Sequence, residues 1–184
     1  MERNFDGDIV IDDIYAKSEN LNYFFPIMQQ NVFLFNDTIK NNIMLNRKIS
    51  DGRLNQVLTI SGLNEIVETK GIDYHCGENG ENLSGGEKQR VSLARCIIEK
   101  NSLLLFDEAT SSLDFNNEYE VVKKICEIEN MSCISVIHST NKDILQQFDE
   151  ILVLNNGTII ENGNYDNLIK DKKYFYAMNM LEKN

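Results

Sequence analysis

The chain has 184 residues, 42% of them hydrophobic, which is enough for one folded domain with a core of its own. Its 18 basic side chains stand against 29 acidic ones and form no stripe that could follow a phosphate backbone, so we expect no nucleic-acid partner. It has no run of about 18 apolar residues that could span a bilayer, and no apolar signal-peptide stretch at its N-terminus, so we expect a cytosolic chain.

Two short strands and then a helical region are predicted in the first part of the chain. Residues 8–12 alternate between polar and apolar, and residues 23–28 form an apolar run in which Pro26 indicates an edge strand or a strand start. Between residues 38 and 67 the apolar side chains recur mostly at spacings of three and four, with an interruption near Asp51. This spacing predicts short helices.

Strands and helices alternate in the middle of the chain. A polar, glycine-rich stretch at 71–82 precedes a helix predicted for 85–100. Residues 103–106 form a continuous apolar run, which predicts a strand buried on both faces. A helix at 117–129 and a second buried strand at 132–137 follow.

The last part of the chain contains a predicted hairpin. After a short helix at 142–147, the apolar runs 151–154 and 158–160 flank an Asn-Asn-Gly sequence, whose Asn-Gly pair supplies the positive φ angles of a tight turn. The tail at 165–181 is predicted to be helical. Strands that alternate with helices predict an α/β fold with a mainly parallel sheet and right-handed crossovers.

The four cysteines, Cys76, Cys96, Cys126 and Cys133, are scattered without the CxxC spacing of metal sites. They lie mostly within apolar stretches. We therefore expect reduced thiols that are buried or idle.

The sequence Leu83-Ser-Gly-Gly-Glu87 stands directly before an amphipathic helix. Ser84 is placed as the N-cap and Glu87 follows three residues later, which predicts a capping box. Taken alone, this is an ordinary helix start. Gly85 and Gly86, however, would let a ligand approach the backbone, and the free N–H groups of a helix N-terminus attract phosphate.

Polar side chains follow two of the predicted strands. Asp107 and Glu108 end the strand at 103–106, at the edge of the sheet where α/β proteins bind ligands, and a hard cation needs such oxygen ligands. The alternative is a buried strand that ends in an acidic turn. His138 follows the strand at 132–137, and a single histidine in this position is usually structural.

The run from Leu83 to Arg95, LSGGEKQRVSLAR, is followed eight residues later by LLLFDEATSSLD at 103–114. This pair of segments closely resembles the signature motif, Walker B segment and D-loop of the ABC ATPases. The resemblance implies a RecA-like P-loop NTPase core with a mainly parallel sheet and an inserted α-helical signature subdomain. On this basis we expect a core formed by 1–37 and 101–184 and a helical subdomain at 38–100.

The resemblance also assigns roles to individual residues. Asp107 would hold Mg²⁺ through water, and Glu108 would polarise the water that attacks the γ-phosphate. His138 would contact the γ-phosphate as the switch histidine, and Asp114 would lie at the interface between two ATPase domains. The signature residues Ser84, Gly85, Gly86 and Glu87 would bind nucleotide.

Two further segments resemble the exporter branch of this family. Gln29 and Gln30 precede NVFLFNDTIKNNI at 31–43, and alignment on Val-Phe-Leu-Phe makes Gln30 the Q-loop residue, which would bind Mg²⁺ and sense the transmembrane domain. The alternative is that Phe33 and Phe35 are only core aromatics. Residues 77–80 resemble the loop that touches the coupling helices, although Asn79 replaces the usual arginine.

The family holds ATP with a P-loop, GxxxxGK[ST], and this sequence contains no Gly-Lys dipeptide. By our alignment the P-loop lysine would precede Met1 by roughly ten residues. The resemblance therefore implies a domain that is truncated at its N-terminus and lacks Walker A. We expect such a chain to expose apolar surface and strand edges, to associate or fold poorly, and to bind ATP weakly alone.

These observations lead to one functional hypothesis and two alternatives. The hypothesis is the ATP- and Mg²⁺-dependent energy-coupling ATPase domain of an ABC exporter. Its partners would be a transmembrane domain and a second ATPase domain, as a homodimer or heterodimer, at the cytoplasmic face of the membrane. The first alternative is a soluble ABC ATPase of DNA repair or translation. The second is a non-enzymatic remnant that offers its signature motif to a partner's ATP.

Overall fold

The structure is a computed structural model that describes residues 7–11, 14–15, 25–29, 31–99, 101–107, 115–138 and 140–181. Strands β1 (Val10–Ile11) and β2 (Ile14–Tyr15) form a short antiparallel pair. Of the described residues in the predicted strand at 8–12, Val10 and Ile11 pair, and Asp12 lies outside the described residues.

A parallel sheet contains the strands that matter for function. β3 (Ile27–Met28), β4 (Leu103–Asp107) and β5 (Ser132–Val136) lie side by side in that order. Both pairings are parallel, and Asp107 at the end of β4 is opposite Val136 at the end of β5. β3 is an outer strand of this described sheet and begins directly after Pro26, as predicted.

The described residues between β3 and β4 contain four α-helices. They are α1 (Ile39–Met44), α2 (Asp51–Ile60), α3 (Asn64–Lys70) and α4 (Gly85–Ile97). The interruption near Asp51 is the start of α2, where the side chain of Ser50 accepts the N–H of Arg53 as an N-cap. A 3-10 turn at Glu78–Gly80 precedes α4.

The remaining elements lie beyond β4. They are α5 (Phe115–Cys126), α6 (Lys142–Leu145), the strands β6 (Ile151–Asn155) and β7 (Thr158–Gly163), and the helices α7 (Tyr165–Asp171) and α8 (Tyr174–Leu181). Strands β6 and β7 form the predicted antiparallel hairpin. Its turn has positive φ at Asn156 (47°) and Gly157 (77°), which is why Asn-Gly is suited to it.

One apolar core joins the helices to the sheet. Leu104 and Phe106 of β4, Val91 and Leu93 of α4, and Val121 of α5 all belong to it. A second, smaller core lies under the hairpin and contains Leu145, Val153, Tyr165, Leu168 and Phe175. The α/β fold with a parallel sheet is confirmed, and the helices at 39–97 occupy the stretch that we assigned to a subdomain. The boundaries 1–37, 38–100 and 101–184 stay a prediction.

The expectation that β4 and β5 are buried on both faces is wrong. Leu104 and Phe106 are buried, but Leu105 between them is only half-buried. On β5, Ile134 and Val136 are 58% and 51% exposed. Cys133 and Ser135 face Val122 and Ile125 of α5 across one cavity. Because side chains alternate along a strand, Ile134 and Val136 point to the opposite, exposed face of the sheet.

The cysteines are free thiols in varied surroundings. Cys76 and Cys96 are buried, Cys133 is half-buried and Cys126 is exposed. Burial raises the pKa of Cys96 to about 11 and that of Cys133 to about 12. Both thiols are therefore protonated at neutral pH and are poor nucleophiles.

Candidate functional site

The signature helix α4 begins with the predicted capping box. The side chain of Ser84 accepts the N–H of Glu87 at 3.2 Å, and the carboxylate of Glu87 accepts the N–H of Ser84 at 2.7 Å. Ser84 has extended backbone angles (φ −65°, ψ 163°), so the chain enters the helix abruptly. The capping box is confirmed, and it fixes the conformation of the first turn.

Glu87 also forms an ion pair that the sequence did not predict. The ammonium group of Lys70, the last residue of α3, lies 2.9 and 3.1 Å from the two carboxylate oxygens of Glu87. Partial burial opposes ionisation of Glu87, but the hydrogen bonds from Lys70 and Ser84 outweigh it and lower its pKa. The carboxylate is therefore ionised and held in place.

Gly85 leaves the surface at the start of α4 open. A Cβ atom placed on Gly85 would meet no atom within 4 Å. Within the described part of the chain, the N–H groups of Gly85 and Gly86 donate to no protein acceptor. Two free donors at the positive end of a 13-residue helix can bind an anion such as phosphate.

Two predicted site residues lie at the carboxyl edge of the parallel sheet. Asp107 is the last residue of β4 and is exposed, and His138 follows β5 by two residues and is also exposed. Because Asp107 is opposite Val136, the chain that leads to His138 leaves the sheet at the same edge. Gln30, Glu108 and Asp114 lie outside the described residues.

The described residues can supply a magnesium site only in part. No group of three or more His, Cys, Asp or Glu side chains among them could hold a metal ion. Mg²⁺ commonly takes one or two carboxylates and completes its shell with water and substrate phosphates. The single exposed carboxylate of Asp107 fits that mode of binding.

An aromatic pair lies on the surface after β3. Phe33 and Phe35 are 58% and 49% exposed, and their rings meet edge to face with centroids 5.2 Å apart. The alternative that they are core aromatics is therefore wrong. The guanidinium carbon of Arg95 lies 5.7 Å from the centroid of the Phe35 ring, which orders that side of the pair.

Hydrogen bonds from Asn42 and Arg95, here called the polar hub, hold the backbone of this aromatic pair in place. The Asn42 side chain donates to the carbonyl of Phe35 at 3.0 Å and accepts its N–H at 2.9 Å. Arg95 of α4 donates to the carbonyl of Phe33, to the carbonyl of Asn42 and to the Asn42 side-chain oxygen, each at 2.9 Å. The signature helix is thus bonded directly to the segment that carries Phe33 and Phe35.

Sequence reasoning missed Asn42 and Arg95 as members of the site. A signal for Asn42 was present, because it lies three residues after Ile39 and beside Ile43, on the apolar face of α1. A fully buried asparagine in such a position needs hydrogen-bond partners. The sequence could not show that those partners come from residues 33–35 and from α4.

The loop at 77–80 packs against the segment that carries Phe33 and Phe35 and against the signature helix α4. Gly77 and Gly80 have φ angles of 78° and 73°, and a Cβ atom on Gly80 would approach Leu34 and Lys88 at 3.0 and 3.1 Å. Only glycine suits such a close approach with positive φ. The loop therefore packs against both the aromatic segment and the first turns of α4.

Comparison with known proteins agrees with the motifs found in the sequence. The chain matches the ABC transporter family over residues 3–111, more than half of its length. The chain belongs to the ABC transporter family. Within this ABC chain, no described helix is long and apolar enough to cross a membrane.

Its relatives include exporters and transport proteins. It is 34% identical over 172 residues to an ATP-dependent lipid A-core flippase of Francisella tularensis, covering 90% of this chain and 28% of the flippase. It is 35% identical over 185 residues to the glutathione/L-cysteine transport system ATP-binding/permease protein CydC of Haemophilus influenzae, covering 95% and 32%. With the microcin-J25 export ATP-binding/permease protein McjD of Escherichia coli it shares 34% over 182 residues, covering 96% and 31%.

A solved structure supports the same fold. The structure of a bacterial Atm1-family ABC exporter with ATP bound superposes with a TM-score of 0.86 at 29% identity, covering 97% of this chain and 32% of that one. The chain therefore has the α/β fold of an ABC ATPase with a RecA-like core. It spans about a third or less of each of these relatives.

Proposed function

We propose that this chain is an ATPase domain that supplies energy to an ABC exporter. Its signature helix would recognise the γ-phosphate of an ATP molecule whose other phosphates are held by the P-loop of a second ATPase domain. The observation that carries the proposal is the open start of α4, where Gly85 and Gly86 offer free N–H groups within a signature sequence. The exporter relatives support the assignment to transport.

The chain's own residues would bind and orient the triphosphate. The N–H groups of Gly85 and Gly86 would donate hydrogen bonds to the terminal phosphate at the positive end of α4, and the Ser84–Glu87 capping box would keep that turn rigid. Asp107 would hold Mg²⁺, which neutralises charge on the phosphates when it is bound. These groups position charge and contribute no covalent chemistry of their own.

The remaining motif residues would act, together with Asp107, at the ATP site on this chain's own core rather than at its signature. Glu108 would orient the attacking water, and His138 at the same sheet edge as Asp107 would contact the γ-phosphate. Gln30 would bind Mg²⁺ and respond to the transmembrane domain, and Asp114 would face the second ATPase domain. Support for these roles comes from the order and spacing of the motifs.

A transmembrane domain is the proposed partner of the aromatic surface. Phe33 and Phe35 are exposed, and Arg95 and Asn42 hold their backbone rigidly, which lowers the entropic cost of docking. Two of the relatives are named ATP-binding/permease proteins. We place the chain at the cytoplasmic face of the membrane through such a domain.

Reconstituted ATP hydrolysis tests the proposal. The chain is mixed with an ABC ATPase domain that has a P-loop but carries Arg in place of its own signature serine, so that hydrolysis requires the signature of this chain. We expect little hydrolysis from either protein alone and stimulation in the mixture. Ser84→Arg should reduce this stimulation at least tenfold, because the arginine side chain would fill the phosphate site.

A serine at the opposite end of the sheet provides the matched control. Ser102 is exposed and lies just before β4, so Ser102→Arg should leave the stimulation intact. Equal activity of the Ser84→Arg and wild-type mixtures would contradict the proposal. Hydrolysis by the chain alone that disappears in Glu108→Gln would show that it needs no separate partner with a P-loop.

A further inference from the structure

We propose that Lys70 is a positioning residue for the phosphate: it neutralises Glu87 and so allows the signature helix to accept an anion. This inference rests on the proposed function, because it concerns the phosphate site at the start of α4. It adds a residue outside the signature sequence, 13 residues upstream of Leu83, that the motif itself does not reveal.

The capping box creates an electrostatic conflict at this site. One oxygen of the Glu87 carboxylate lies 2.7 Å from the backbone nitrogen of Ser84, so a negative charge lies at the N-terminus of α4. The next two N–H groups along the chain are those of Gly85 and Gly86, which would receive the phosphate. An anion bound there would lie beside an ionised carboxylate, and like charges at such short range repel strongly.

The Lys70 ammonium removes this conflict. It contacts both oxygens of Glu87, at 2.9 and 3.1 Å, so the pair has no net charge. The side chains of Lys70 and Glu87 are only 31% and 20% exposed, so solvent ions screen this pair less than they screen a fully exposed one. The ammonium also lies 5.2 Å from the ring centroid of Tyr74, which limits its freedom to leave.

Two modes of action are distinguishable for Lys70. If it acts through Glu87, as we propose, removing the carboxylate makes the lysine dispensable. If Lys70 instead binds the phosphate directly, its loss weakens binding whether or not Glu87 is present. Glu87→Gln separates the two modes, because glutamine keeps the capping box but has no charge.

The experiment measures binding of inorganic tripolyphosphate to the full 184-residue chain at constant ionic strength. The amide NMR signals of Gly85 and Gly86 report binding at the start of α4, and the remaining signals report folding. We expect Lys70→Met to weaken binding about tenfold and Glu87→Gln to tighten it several-fold. The double variant should bind within about twofold of Glu87→Gln. The exposed Lys170, on α7, provides the charge-matched control, and Lys170→Met should bind like the wild type.

Three other outcomes would contradict the proposal, each in a different way. Wild-type affinity in Lys70→Met would reject a role for Lys70 and leave the phosphate site intact. Equal weakening in Lys70→Met and in the double variant would reject neutralisation, because the lysine would then contact the anion itself. No response of Gly85 and Gly86 in the wild type or in Glu87→Gln would reject an anion site in this chain alone, and with it the role of Lys70, whereas the reconstituted hydrolysis decides the proposed function.

Discussion

At the scale of single residues, Asn42 matters more than its sequence context suggests. It is fully buried, and its side chain bonds to Phe35, Thr38 and Arg95. Its loss would leave the N–H of Phe35 without its acceptor and would remove one of the three oxygen atoms that accept from the Arg95 guanidinium. Unsatisfied buried groups cost about 1–3 kcal/mol each, so one side chain stabilises several neighbours.

We therefore expect Asn42→Ala to lower the free energy of unfolding by about 3 kcal/mol, as measured by urea denaturation. Asn41 is the matched control, since it is the preceding residue of the same helix but is exposed, and its side chain donates to Asp37 on the surface. Asn41→Ala should cost less than about 1 kcal/mol. Similar losses in the two variants would show that the hub contributes no special stability.

At the scale of elements, α4 is held at both ends. Its N-terminus has the capping box, and its last carbonyl groups, those of Ile97 and Ile98, accept the guanidinium of Arg53 on α2. A cation at the negative end of a helix is favourable, and here it also satisfies carbonyl groups that the helix leaves free. Arg53 thereby joins α2 to the signature helix.

Substitution of Arg53 tests this contact. Arg53→Met keeps most of the aliphatic length of the side chain but removes the donors, and we expect a loss of about 1–2 kcal/mol in the free energy of unfolding. Arg47 is the matched control, since its ion pair with Glu99 at 2.7 Å has 38% and 49% exposed side chains. Arg47→Met should cost less than about 1 kcal/mol. An equal cost for the two substitutions would contradict the capping role of Arg53.

Elements defined by local rules were predictable from the sequence. The Asn156-Gly157 turn and the Ser84–Glu87 capping box are determined by a few neighbouring residues, and both are confirmed. Burial across the sheet was not predictable, because an apolar run such as 103–106 shows only that a strand can be buried on both faces. Which face is covered depends on packing between distant segments.

The same limit applies to the site. The signature and the carboxylate of Asp107 follow from motif spacing, whereas the Lys70–Glu87 and Arg95–Phe33 contacts join residues that are 17 and 62 positions apart. No local pattern relates such residues. The sequence thus indicated which groups carry the chemistry, and the fold showed which side chains support them.

At the scale of the whole molecule, an apolar sheet surface and a large net charge oppose each other. Ile134 and Val136 are more than half exposed on β5, an outer strand of the described parallel sheet. Such a surface favours association between copies. The formal charge of −11 opposes it, because two copies repel each other at long range. Salt screens this repulsion but leaves the attraction between apolar surfaces in place.

We therefore expect self-association that increases with salt, measured by sedimentation velocity at about 0.02 and about 0.3 M NaCl, where the Debye lengths are roughly 20 and 6 Å. The double variant Ile134→Thr and Val136→Thr should remain monomeric at the higher salt concentration, since threonine keeps the β-branched shape and removes apolar surface. Leu181, 77% exposed at the end of α8, is the control, and Leu181→Thr should associate like the wild type. A monomeric wild type at both salt concentrations would contradict the prediction, and association that Leu181→Thr alone abolishes would move the contact to α8.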